Sequence, residues 1–181
     1  MKRLCLCLCL VPIVLLCGCG TKTEEKLLTD FSAALSQRKD LSFVGKLRCE
    51  YDDRSANFTL QYKQQEDGCK ISVLQPAELE GLSVSLDEKG SLLEYGELFI
   101  DTGDLDHFGL SPLSALPKLA DSLRGSHIDS ICRQGDVITY CLVPSDTLKV
   151  NVSFSQDMTP IEAELISEGR VRVFCQIESW R

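Results

Sequence analysis

The sequence predicts a mainly β domain of the α+β class: one antiparallel sheet of about ten or eleven strands, a helix in front and a helical insert midway. Three observations carry this. From Phe43 onward, apolar and polar residues alternate with a period of two, in runs broken by turns rich in Gly, Asp and Ser. Only residues 21–36 and 111–125 show a helical period instead. Most runs are joined by turns too short for a parallel crossover, so neighbouring strands pair antiparallel, with one face apolar and one wet.

The first helix is expected over Thr21 to Ser36. Thr21 and Glu24 have the spacing of a capping box, and Glu24 and Glu25 suit the positive end of the helix dipole. Leu27, Leu28, Phe31, Ala34 and Leu35 supply one apolar stripe, which frays through Gln37-Arg38-Lys39-Asp40. The period then falls to two. Phe43, Gly45, Leu47, Cys49 and Tyr51 alternate with polar neighbours, Asp52 to Ser55 turn, and Phe58, Leu60 and Tyr62 alternate again. A turn at Gln65 to Gly68 leads to Ile71 and Val73, and Pro76 breaks the run. Leu82, Val84 and Leu86 resume it. Leu92 to Tyr95 and Leu98 to Ile100 continue the sheet, and Asp101 to Gly109 reads as a loop.

Ser111 caps the second helix, with Pro112 at its first position, where a missing N–H costs least. Leu113, Leu116, Leu119, Ala120 and Leu123 form its apolar face, and Gly125 stops it. Pro117 is expected to kink or split it. Beyond Gly125 the strands return: Ile128 to Cys132, Val137 to Val143, then Leu148, Val150, Val152 and Phe154. A closing hairpin joins Ile161–Ile166 to Val171–Ile177 around Ser167-Glu168-Gly169.

Ahead of this domain stands an address. Lys2 and Arg3 precede an apolar run from Leu4 to Leu16, the anatomy of a secretory signal. Leu16-Cys17-Gly18-Cys19 resembles the lipobox of bacterial lipoproteins. The resemblance implies cleavage after Gly18 and fatty acylation of Cys19, and so a protein anchored by lipid on the extracytoplasmic side of a membrane. Cys17 suits this less well, since bulky Leu16 sits where a small residue is wanted. The rival readings are plain secretion and a retained helix. Residues 4–20 fall short of the roughly 20 residues that span a bilayer, and they contain Pro12. Cys5, Cys7 and Cys9 read as small apolar residues of the leader rather than as a metal tract. The expected organisation is a signal peptide over 1–18, a short acylated tether over 19–21 and one domain over 22–181.

Removing residues 1–18 takes away Lys2 and Arg3 and leaves 17 basic against 27 acidic side chains, a formal charge of −10. Such a domain repels phosphate backbones and anionic lipid heads, so neither nucleic acid nor a polybasic membrane contact is expected. Besides Cys19, five cysteines remain: Cys49, Cys69, Cys132, Cys141 and Cys175. None forms a CxxC pair and no His stands at zinc spacing, which disfavours metal. An odd count in an exported chain leaves at least one thiol free or paired between chains, so a homodimer through an unpaired cysteine is one reading. Small core residues on strands is the other.

The order of elements resembles the LolA/LolB-like superfamily of lipoprotein-binding folds. The resemblance rests on Leu110-Ser111-Pro112-Leu113 opening the insert, on Pro76, Leu79 and Gly81-Leu82 at the middle crossing, and on the Pro160-Ile161 to Trp180 hairpin. It implies a strongly curved sheet, an incomplete half-barrel, with the central helix as a lid over an apolar concave face. A lipid-anchored member is similar to LolB or to the germination lipoprotein GerS, whose relatives are implied to act as protein partners in the spore envelope. No residue of this chain matches a ligand-binding residue of the family.

Two functions are therefore expected, neither needing a cofactor. In the first, a non-catalytic lipoprotein holds an acyl chain or other apolar ligand against Phe43, Leu47, Phe58, Leu60, Ile71, Val84, Leu113 and Leu116. In the second, a GerS-like interaction subunit activates or positions a cell-wall enzyme, its inner face filled by its own side chains. Other constellations fall short. Asp101, Asp104, Asp106 and His107 suggest a cation loop, but counting from Asp104 the fifth place is Phe108 and the twelfth is Ala115, not EF-hand ligands. Ser36-Gln37-Arg38-Lys39 matches SxxK without its companion motifs. The sequence has no GxSxG, HExxH or P-loop. Asn57-Phe58-Thr59 and Asn151-Val152-Ser153 are glycosylation letters that mean little on strands of a bacterial lipoprotein. Trp180 reads first as packing for the last strand and second as a partner anchor.

Overall fold

Two meanders, meeting at a central seam, form one antiparallel sheet in the computed structural model, which describes residues 21–103 and 110–181. After helix α1 (Thr21–Ser36), strands β1 (Ser42–Glu50), β2 (Ser55–Gln65), β3 (Gly68–Gln75), β4 (Ser83–Asp87), β5 (Gly90–Tyr95) and β6 (Leu98–Gly103) step outward from the centre to one edge. Helix α2 (Pro112–Gly125) follows. Strands β7 (His127–Gln134), β8 (Val137–Ser145), β9 (Leu148–Phe154), β10 (Pro160–Ser167) and β11 (Arg170–Trp180) then step back from the other edge. The seam is β1 against β11, with Leu47 opposite Cys175 and Cys49 opposite Val173. Among the described residues the sheet has eleven strands and does not close.

The chain must pass from one edge of the sheet to the other between β6 and β7, and α2 is that crossing. It touches β1, β2, β3, β8 and β10. In a flat sheet β3 and β8 would stand roughly 29 Å apart, from a strand spacing of about 4.8 Å. A helix with its side chains is only about 10–12 Å across. The sheet therefore curls around α2, and the helix fills the hollow.

Alternation decides what goes into that hollow. Phe43, Leu47 and Cys49 on β1, Leu60 and Tyr62 on β2, Ile71 and Val73 on β3, and Tyr140, Val150, Ala163 and Cys175 across the other meander join Leu116, Leu119, Ala120 and Leu123 of α2 in one core. Each large side chain so buried contributes about 1.5–3 kcal/mol.

Two local expectations are corrected. Helix α2 runs unbroken through Pro117. The proline removes one backbone bond near the N-terminal end, and the buried apolar face holds the helix together regardless. The α1 stripe is narrower than its sequence suggests: Leu28 and Leu35 are buried with Phe31 packed beside them, whereas Leu27 and Ala34 face water. Glu24 also reaches beyond its own helix, with its carboxylate 2.6 Å from Arg133 Nε on β7.

Candidate functional site

The concave face is where the residues chosen from sequence come together. Phe43, Leu47, Leu60, Ile71 and Leu116 share one cluster, and Val84 stands on β4 opposite Ile71. All six are no more than 2% exposed. Phe58 and Leu113 are partly buried and pack against the cluster. The helix lies directly on the strands: a Cβ added to Gly45 would meet Cys175 Sγ at 2.7 Å and Leu116 Cδ2 at 3.2 Å. Glycine is needed here for close approach.

Polar contacts fix both helices. Ser111 and Ser114 exchange side-chain and backbone bonds in a capping box that starts α2. At its other end Arg124 donates to Gln64 Oε1 at 2.7 Å and to Asp121 Oδ1 at 2.9 Å. Tyr62 donates its hydroxyl to the same Gln64 oxygen at 2.6 Å. Burial pushes the Tyr62 phenol up, and the Arg124 guanidinium opposes the shift. Burial also pushes the neighbouring Cys69 thiol up to about 11. Ser36 at the end of α1 donates to the Arg124 carbonyl at 3.3 Å, so α1 and α2 meet at this latch. The start of α1 is held by Tyr140, which donates to the Glu24 carbonyl at 2.9 Å, and its middle by Phe31, edge-on to Phe154 at 5.2 Å.

An open groove of about 850 Å³ lies across β11, β1 and β2 toward Pro76, and its polar lining comes largely from the outer face. Lys46, Arg48, Asn57, Thr59, Gln75 and Gln176 supply that polar lining, with Phe174 and Leu74 as apolar patches. Arg48 stacks over Phe174 at 5.8 Å and pairs with Glu50 at 2.9 Å; Lys46 pairs with Glu178 at 2.6 Å. Both cations are thus already matched.

Cys19 lies outside the described residues, as do Asp104, Asp106 and His107. Asp101 stands at the edge on β6, where Oδ1 accepts the Gly103 N–H at 2.9 Å. Among the described residues no group of three or more His, Cys, Asp or Glu side chains could hold a metal ion. No described helix is long and apolar enough to cross a membrane. Ser36 donates to the Ser32 carbonyl at 2.8 Å, and among the described residues no hydrogen bond joins it to a basic side chain. Trp180 packs against Phe43 at 4.8 Å and Phe31 at 6.2 Å, closing the seam. The five thiols are free: Cys49, Cys69 and Cys175 are buried, Cys141 is half-buried and Cys132 is exposed.

Two features escape a reading of sequence. The Arg124–Gln64 latch joins residues that only the fold brings together. The apolar triplet Leu98-Phe99-Ile100 is visible as letters, but its place on an open edge depends on strand order.

No protein-family model matches the sequence, and no curated protein matches it significantly. Solved structures do resemble it. An uncharacterized conserved protein from Thermus thermophilus aligns at 9% identity and a TM-score of 0.51, over 87% of this chain and 86% of that one. A putative outer membrane lipoprotein-sorting protein domain from Vibrio parahaemolyticus aligns at 10% identity and a TM-score of 0.50, over 85% and 90%. A LolA superfamily protein from Nitrosomonas europaea covers 87% and 92% at 11% identity, with a TM-score of 0.47. At these identities the likeness is one of fold: an open antiparallel sheet of the LolA/LolB-like kind, shared with the lipoprotein-sorting domain.

Proposed function

We propose that this chain is a non-catalytic lipoprotein, anchored outside the cytoplasm through an acylated Cys19, which works by contact with another protein of the cell envelope. One observation carries the reading. The hollow that would receive an acyl chain is occupied by α2, and six of the eight residues chosen to line it are sealed from solvent. A face filled by its own side chains stabilises the fold and leaves the outside of the sheet for recognition.

The rival reading, an apolar ligand held in the concave face, draws support from the likeness in fold to a lipoprotein-sorting domain. It requires α2 to leave its seat, breaking the Arg124–Gln64 bond and exposing Leu116, Leu119 and Leu123. Crosslinking in the native envelope, followed by mass spectrometry of co-purified proteins and lipids, tests both. The expected result is one recurrent protein adduct and no stoichiometric lipid beyond the anchor. A bound lipid displaced by free fatty acid would favour the rival. Labelling with radioactive palmitate, lost in Cys19→Ala, tests the anchor.

A further inference from the structure

The two edges of the sheet are built differently. β7 carries His127, Asp129 and Arg133 along its length, and α1 packs against it. Charge and cover are the usual means by which folded proteins keep an edge from pairing with other chains. Among the described residues β6 has neither over its first half. Leu98, Phe99 and Ile100 are 54%, 63% and 43% exposed. Leu98 and Ile100 stand opposite Tyr95 and Leu93, whereas Phe99 stands opposite Glu94, so apolar side chains emerge on both faces of the edge. Tyr95 and Leu92 extend this surface on β5, and both are exposed. Among the described residues β6 pairs only with β5, so its outer backbone groups point away from the sheet.

The stretch of chain that forms this edge is mainly acidic. Residues 76–103 carry seven acidic side chains against the single base Lys89. Glu94 is neutralised by Lys70 at 2.8 Å, but Lys70 comes from β3. Glu97 and Asp101 flank the apolar triplet at either end.

We propose that the outer edge of β6 is a docking strand for a basic partner protein. An extended segment of that partner adds to the sheet beyond β6, through main-chain hydrogen bonds. Its apolar side chains meet Phe99 on one face and Leu98 and Ile100 on the other, and its Lys or Arg side chains meet Glu97 and Asp101. Charge complementarity selects this occupant. A second copy would bring the same acidic field against itself. An anionic lipid surface would be repelled as well. The proposal rests on the partner reading given above and says where on the sheet that partner binds.

The test uses the full chain in phosphatidylcholine nanodiscs and a peptide of alternating Val and Lys, about seven residues long, near the ordinary strand length. Its controls are the Val/Glu counterpart and a Val/Lys peptide N-methylated at alternate residues. The Val/Lys peptide is expected to slow amide exchange over residues 98–101 about tenfold and to bind about tenfold tighter than Val/Glu, less so at high salt. The N-methylated peptide and the double variant Phe99→Ser/Ile100→Ser lose the effect, and Arg133→Ser on β7 keeps it. Equal binding of Val/Glu, unchanged exchange with Val/Lys, or binding that survives the double variant overturns the proposal. Protection without peptide, whether from a dimer or from the nanodisc lipid, overturns it too. Envelope crosslinking separates the two claims. A partner captured equally by the double variant defeats the β6 assignment alone, whereas no captured partner in either form defeats the partner reading itself.

Discussion

Arg124 near the end of α2 and Gln64 near the end of β2 meet at 2.7 Å, and Tyr62 places its hydroxyl on the same Gln64 oxygen. A bond to a charged donor, largely shielded by the fold, contributes about 1.5–3 kcal/mol. Asp121 is mostly exposed and adds little. Arg124→Met is expected to lower the unfolding free energy by about 1–2 kcal/mol in urea titrations, because it keeps the stem's packing and removes the donor. Backbone exchange should quicken in α2 more than in β9. Equal quickening in both elements would mean the latch does not hold the helix in particular.

Gly45 offers a sharper test of how tightly the hollow is filled. Gly45→Ala drives a methyl to 2.7 Å from Cys175 Sγ, well inside contact. Overpacking of this kind costs about 1–3 kcal/mol. Cys175→Ala removes the sulfur, so the double variant is expected to recover part of that loss. A double-mutant cycle in denaturant measures the coupling, and strict additivity would show that the helix yields instead.

Alkali should unfold this protein early. Burial pushes Cys49 and Cys69 up to about 11 and Cys175 up to about 12, from an ordinary value of 9.0. In the unfolded chain these thiols lose their protons near 9, while the folded chain keeps them. The folded state thus binds more protons between about pH 9 and 12, and stability falls as pH rises through that window. Tyr62 and Tyr140, also pushed up by burial, act in the same direction. Melting temperature measured from pH 7 upward should decline beyond about 9, and Cys49→Ala with Cys175→Ala should flatten that slope whatever it does to stability at neutral pH.

The exposed thiol of Cys132 separates it from the rest. Iodoacetamide on the native protein should modify Cys132 first and leave Cys49, Cys69 and Cys175 intact until denaturant is added. Any disulfide-linked dimer on a non-reducing gel should disappear in Cys132→Ser. A dimer that persists in that variant would point to Cys141.

Most of the strand pattern was legible because a half-buried strand writes its two faces into alternate residues, as Phe43, Leu47 and Cys49 do against Lys46, Arg48 and Glu50. Helix ends were equally plain where Ser111 and Pro112 supply the cap. Longer-range matters were not. Pro117 carries a local penalty that only the packing of Leu116, Leu119 and Leu123 outweighs, and Glu24 finds Arg133 only after β7 has come back beside α1. The inner-face residues could be named from alternation, yet whether they line a space or a solid core depends on where the connection between β6 and β7 runs. The edge position of Leu98, Phe99 and Ile100 follows from strand order, which no local period encodes.

The seam between β1 and β11 sets a timetable for the chain. Phe43 pairs with Trp180, so the two meanders cannot be joined until β11 is available. Local hairpins form early, but contacts so distant in sequence come late and slowly. A polypeptide emerging from the ribosome therefore lacks its unifying strand until residues 170–180 have been made. If the chain is exported as proposed above, that delay keeps it loose enough to thread a translocation pore and lets it set on arrival.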